Sequence, residues 1–160
     1  MKALRLNALT DAPTAFGSTL AKESQFTDTD WAHKAALWSG AAGGRSGCRV
    51  ALDGDTPVGI AAGYVPSDEP TARHAWVVSM WVHPLYRGQG LGRQLIAFVE
   101  RWARGQGLEE LRLEVTIGNT AAQRLYEAAG FRVIGDPVPH PVYAGLREHV
   151  MVKPLRLGEA

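Results

Sequence analysis

The stretch from Val82 to Arg93, with the strand before it and the helix after it, restricts the fold of this chain more than any other. A run with strand character, Trp76 to Val82, passes into V-H-P-L-Y-R-G-Q-G-L-G-R (Val82 to Arg93). A helical pattern follows, with Leu91, Leu95, Val99 and Trp102 at steps of four, four and three. Gly88, Gly90 and Gly92 alternate at the point where that helix should begin. Glycine lets the backbone curl and lets a ligand approach with no Cβ in the way. A new helix N-terminus adds unpaired N–H groups and the positive end of the helix dipole. The combination is an anion cradle suited to a phosphate or pyrophosphate; the plainer alternative is a glycine-rich turn that only starts a helix.

Two familiar phosphate loops are excluded by spacing. A Walker loop needs G-x-x-x-x-G-K-[ST], and no Lys-Ser or Lys-Thr pair follows these glycines. A dinucleotide fingerprint needs G-x-G-x-x-G, and Arg93 stands where its third glycine would be. What remains is Arg-x-x-Gly-x-Gly at Arg87, Gly90 and Gly92 within V-x-P-x-Y-R-G-x-G-x-G. This resembles the acyl-CoA pyrophosphate loop of the GNAT superfamily of N-acetyltransferases.

A second block, N-T-A-A-Q-R-L-Y-E-A-A-G-F from Asn119 to Phe131, is similar to that family's N-x-x-A-x-x-L-Y-x-x-x-G-F signature. The N-terminal L-R-x-x-A-L-x-D-A-P-x-A-F-G-S-T resembles many bacterial members, and the likeness runs from about Leu4 to Leu155. It implies an α/β fold: a mostly antiparallel mixed sheet flanked by helices, splayed between the strand ending at Val82 and the strand ending at Val115. The family usually has a strand before its first helix, and this chain starts too late to contain one. Either the start is truncated or the sheet lacks that edge strand, leaving the edge near Cys48 to Leu52 open to a covering segment or a homodimer contact.

Composition bounds the rest. At 160 residues, 1–160 reads as one domain, long enough to bury about two-thirds of its unfolded surface. Seventeen basic residues against 16 acidic give no nucleic-acid footprint. No run suits a membrane span or signal peptide, and a single cysteine, Cys48, fits a reducing cytoplasm and reads as core. His33, His74, His83, His140 and His149 lack metal-ligand spacing, so no metal is expected.

In chain order, residues 2–10 read as the end of a helix, stopped by Asp11-Ala12-Pro13. A short helix follows with Ser18 as candidate N-cap, then a third from Thr27 to Trp38 opened by Asp28 or Asp30. Gly40 to Gly47 reads as a loop. Cys48–Leu52 and Val58–Val65 flank the hairpin signal D-G-D-T-P, and Ala61-Ala62-Gly63 is small enough for close helix packing. On the strand to Val82, strict alternation puts Val78, Met80 and Val82 on one face and Val77, Ser79 and Trp81 on the other. Leu111–Val115 is a strand parallel to it across the Gly90–Arg104 helix. A helix capped by Asn119, a strand Phe131–Ile134, a proline loop (Pro137, Pro139, Pro141) and a last strand Glu148–Lys153 complete the chain.

The resemblance implies site residues. Acetyl-CoA would be the co-substrate, its pyrophosphate held by Arg87, Gly88, Gln89, Gly90, Leu91, Gly92 and Arg93. The backbone along Met80, Trp81 and Val82 would pair with pantetheine and polarise the acetyl carbonyl, and Asn119 could touch the cofactor besides capping its helix. Tyr126 matches the thiolate's proton donor, the alternative being a core tyrosine on an apolar stripe. Glu114, in L-E-V ahead of L-Y, is similar in placement to the general base of ribosomal-protein N-terminal acetyltransferases; the alternative is a solvent-facing residue paired with Arg112. Ser79 and His74 are weaker base candidates. The implied function is direct acetyl transfer to a primary amine of a small molecule or peptide. Acylation of a protein N-terminus and a non-catalytic CoA-binding module stand as alternatives.

Overall fold

The computed structural model describes residues 1–41 and 43–156. Helix α1 (Lys2–Asp11) runs into a 3-10 turn at Pro13–Ala15, followed by α2 (Leu20–Glu23) and α3 (Asp28–Ser39). The stops and starts are local chemistry. Thr19 rather than Ser18 caps α2, its hydroxyl accepting from the Lys22 N–H. Thr27 and Asp30 form a reciprocal capping box at α3, so Asp30 supports the start while Thr27 caps it.

Strands β1 (Ser46–Asp53), β2 (Thr56–Tyr64) and β3 (His74–Val82) follow, then α4 (Leu91–Gly105), β4 (Glu110–Thr116), α5 (Thr120–Ala128), β5 (Arg132–Pro139) and β6 (Arg147–Pro154). The sheet order is β1-β2-β3-β4-β6-β5, antiparallel throughout except for the β3–β4 pair that α4 connects. Among the described residues no strand precedes β1, which forms one edge.

Each face of the sheet carries its own core. On one face α4 and α5 bury Leu95, Ile96, Val99 and Tyr126 against Ala61, Val77, Leu111, Leu113 and Met151. Each such aliphatic side chain contributes about 1.5–3 kcal/mol when fully buried. On the other face Leu4, Ala8, Leu9 and Phe16 pack on Ile60 and Trp81.

Two sequence expectations fail for identifiable reasons. Ser79 has φ 56°, and the β2–β3 register jumps from Ala62↔Val78 to Ile60↔Trp81, so Ala61 faces two residues of β3. This bulge resets the alternation. Ala75 and Val77 therefore share a core with Met80 and Val82, while Trp81 turns to the N-terminal helices and Ser79 meets Arg5. Secondly, Pro137 and Pro139 lie inside β5 rather than in a loop. β5 is an edge strand with a register shift between Ile134 and Val138, where a missing N–H is tolerated.

The small-residue patch on β2 is a seat for α4. Gly47 and Gly63 are register partners on β1 and β2, and the Trp102 indole lies across both. A Cβ on Gly63 would come within 2.7 Å of Trp102 and 2.8 Å of Val99. Gly63→Ala should therefore lose about 1–3 kcal/mol in chemical denaturation, and lose less in a Trp102→Leu background. Equal losses in the two backgrounds would contradict this packing.

Candidate active site

Leaving β3, the chain makes a 3-10 turn at Pro84–Tyr86, where His83 Nδ1 accepts from the Leu85 N–H at 3.1 Å. Gly88 and Gly90 then take left-handed φ values of 74° and 84°, which a side chain would resist. Gly90 is the N-cap of α4, and no side chain caps that helix, so its first N–H groups stay available to a ligand. A Cβ on Gly88 or Gly90 would meet nothing within 4 Å, so the backbone there is open. Gly92 does different work: its Cβ would lie 2.9 Å from Leu125, so it lets α4 and α5 approach.

Arg87 belongs to the loop, and its half-exposed guanidinium also reaches α1. Nε donates to the Val82 carbonyl at 2.9 Å, and Nη2 pairs with Asp11. Asp11 also accepts from Trp81 Nε1 at 3.0 Å. Burial works to raise the Asp11 pKa, but the bonds from Trp81 and Arg87 and the Arg87 charge outweigh it and hold the carboxyl below its usual range. Arg87 thus ties the loop to α1.

Behind the loop lies a cleft of about 510 Å³. Met80, Trp81 and Val82 form one wall, and Asn119, Ala122, Leu125 and Tyr126 the other, with Arg87, Gly88, Gly90, Leu91, Gly92 and Arg93 at the loop. Of the loop residues singled out in the sequence, Gln89 alone does not line it; its side-chain amide donates to the Leu85 carbonyl at 3.3 Å. Asn119 accepts from the Ala122 N–H at 3.3 Å, so it both caps α5 and faces the cleft.

The cleft reaches a gap in the sheet. β3 and β4 pair only at His74↔Glu110, Ala75↔Leu111 and Trp76↔Arg112, although β3 continues to Val82 and β4 to Thr116. The space between them, about 80 Å³, is lined by Val77 to Met80, Leu113 to Thr116, Asn119 and Tyr126. Beyond it, beside the N-terminal helices, lies a cavity of about 760 Å³. Tyr126 lines the cleft and the gap; Glu114 lines the gap and the cavity. The tyrosine ring rests edge-on against Phe131, and burial pushes its phenol pKa up to about 12.

Glu114 is not paired with Arg112, whose Nε instead binds Glu110 at 2.5 Å. Its strand partners place another carboxylate nearby. Glu114 faces Val150 and Thr116 faces Glu148 across the β4–β6 ladder, so Glu114 and Glu148 share one face and line one cavity. Glu148 was invisible to sequence reasoning, because only the antiparallel register brings it there. Ser79 is a poor base here, its Oγ bonded by the Arg5 guanidinium at 3.3 Å. His74 stands at the paired end of β3, 3.9 Å from Glu69 and outside the gap. Cys48 packs beside the second core, and burial pushes its thiol up to about 11.

Known proteins share this architecture. Residues 8–131 match the acetyltransferase (GNAT) family. L-2,4-diaminobutyric acid acetyltransferase of Streptomyces coelicolor is 34% identical over 109 residues, covering 67% of this chain and 62% of the relative. The chain thus spans less than two-thirds of that relative's length. The solved GCN5-related N-acetyltransferase from Kribbella flavida is 31% identical with a TM-score of 0.73, covering 94% of this chain and 88% of that one. A GNAT-family acetyltransferase from Streptococcus pneumoniae, 21% identical over 96% of this chain and 93% of its own, shares the fold with a TM-score of 0.75. The chain belongs to the GNAT acetyltransferase family.

Proposed function

We propose that this chain is an N-acetyltransferase that moves the acetyl group of acetyl-CoA directly to a primary amine. One observation carries the reading: a single gap joins the phosphate-type cleft to a second cavity, with Tyr126 on its cofactor side and Glu114 on its acceptor side. The diaminobutyrate acetyltransferase relative supports an amine acceptor of this kind.

The residues fit the co-substrate. The uncapped start of α4 and the open backbone at Gly88 and Gly90 suit a pyrophosphate. The stretch of β3 from Val77 to Val82 has no β4 partner, which leaves backbone groups for the pantetheine arm. Acetyl-CoA supplies the activated thioester. Backbone N–H groups near Met80 and Val82 polarise its carbonyl. Glu114, directly or through water, takes a proton from the acceptor ammonium. The amine lone pair then forms the N–C bond as the C–S bond breaks. Two protons leave nitrogen in all: one reaches solvent by way of Glu114, and the other balances the proton that Tyr126 gives to sulfur.

Tyr126 stays protonated because burial disfavours its phenolate. At about 12 it is a weak acid beside a thiol near 8.5. Its help is therefore first a hydrogen bond to sulfur as charge develops. The free Cys48 supports a cytoplasmic setting, and the position of β1 at the sheet edge supports self-association across it, which sedimentation would check.

Three substitutions test the reading. Gly90→Val, at a left-handed position facing the cleft, should weaken acetyl-CoA binding about tenfold or more by calorimetry, equivalent to about 1.4 kcal/mol. Unchanged affinity in a folded variant would remove the loop from the site. Tyr126→Phe should lower kcat by about 10²–10⁴-fold with acetyl-CoA affinity nearly intact. Since the protonated phenol is the working form and its pKa is raised to about 12, wild-type kcat should show no alkaline fall from Tyr126 below about pH 10. Glu114→Gln should depress kcat/KM most at low pH, where the amine is mostly ammonium, and least at high pH. Superimposable profiles for wild type and variant would exclude Glu114 as the base.

A further inference from the structure

The cavity of about 760 Å³ on the acceptor side of the gap is lined by charges of both signs. Glu114 and Glu148 contribute carboxylates from β4 and β6. Glu148 is only 7% exposed, and among the described residues no side chain donates a hydrogen bond to it. Its carboxylate oxygens are not sealed off but open to the cavity, where a ligand's donor can reach them. Burial and the neighbouring Glu114 charge both push its pKa up, against a smaller pull from His140. An ammonium placed between the two carboxylates would satisfy both, and Glu114 already borders the gap that Tyr126 lines.

The wall formed by the N-terminal helices contributes two cations that share one anion. Glu23 is fully buried and accepts from Arg5 Nη2 at 2.9 Å and from Nε at 3.0 and 3.2 Å. Lys34 Nζ reaches the same carboxylate at 3.5 Å. Both Arg5 and Lys34 line the cavity. The Lys34 ammonium lies over the Trp38 ring at 4.8 Å, and Arg5 over Phe16 at 4.7 Å, so aromatic faces help hold the cations without cancelling their charge. An uncompensated half-buried cation favours an anionic ligand group, as the unpartnered Glu148 favours a cationic one.

We propose that this cavity receives a small zwitterion. Its reacting amine sits between Glu114 and Glu148, and a carboxylate on the same molecule is received by Lys34 with Arg5 behind it. Glu148 is thereby a specificity residue for the ammonium and Lys34 one for the carboxylate. This rests on the reading of the gap as an amine acetylation site.

The test is thiol release from acetyl-CoA with three sets of acceptors of matched chain length: ω-amino carboxylates, plain alkylamines and α,ω-diamines. Acetyl-CoA binding is measured separately by calorimetry. The amino carboxylates should exceed the other sets in kcat/KM by about tenfold or more, equivalent to about 1.4 kcal/mol. Lys34→Met should bring that ratio towards one, chiefly through KM, and Lys34→Arg should restore it. Glu148→Gln should raise KM for every acceptor while acetyl-CoA affinity holds. Diamines or alkylamines used as well as amino carboxylates, or a preference that survives Lys34→Met in folded protein, would overturn the inference. Acetyl-CoA binding with no acceptor turned over would also overturn it while leaving the cofactor site standing. Loss of acetyl-CoA binding by the wild type would instead overturn the reading beneath it.

Discussion

The structure depends on two parallel strands that begin together and then part. β3 and β4 pair through Trp76 and Arg112 and no further, although each runs on for several residues. Every buried backbone group released by that parting costs about 1–3 kcal/mol if nothing binds it. A fold keeps such a gap only when both strands are held from outside. On one face α4 and α5 grip them through Leu95, Val99 and Tyr126. On their outer edges β2 and β6 pair with β3 and β4 along most of their lengths.

The N-terminal helices brace the same gap from the other face. Arg5 of α1 bonds the hydroxyl of Ser79 at the bulge, and the buried Glu23 fixes the guanidinium that does so. At the far end of α1, Asp11 accepts from Trp81 on β3 and from Arg87 in the glycine loop. Bulge, loop and helix are thus joined by charge-assisted bonds, which are about twice as strong as neutral ones. Ser79 holds a left-handed φ that costs about 1–3 kcal/mol, and such strain persists only where the surroundings over-determine it. Arg5 therefore ties the larger cavity, which it lines, to the bulge that shapes β3.

Much of this was legible in the sequence, where local rules speak directly. The glycine loop, the Asn119 cap, the D-G-D-T-P hairpin and the Gly63 packing patch depend on neighbours in sequence, and each forms as read. What escaped depends on partners distant in the chain. The bulge at Ser79 inverts the faces of half of β3, and no periodicity announces a single extra residue. Arg87 reads as a cofactor-binding loop residue; it does line the cleft, but its tie to Asp11 comes only from the packing of α1 and has no sign in the sequence. Glu148 reads as the first residue of an ordinary strand, and comes to share a cavity with Glu114 only through its register with Thr116.

The central claim is that the gap between β3 and β4 is where the cofactor arm and the acceptor meet. A crystal structure with acetyl-CoA tests this most directly. The pantetheine arm should run along Met80 to Val82 inside the gap, with the thioester sulfur within hydrogen-bonding reach of the Tyr126 hydroxyl and the acetyl group facing Glu114. A bound cofactor whose arm passes outside the gap, with its sulfur away from Tyr126, would contradict the account.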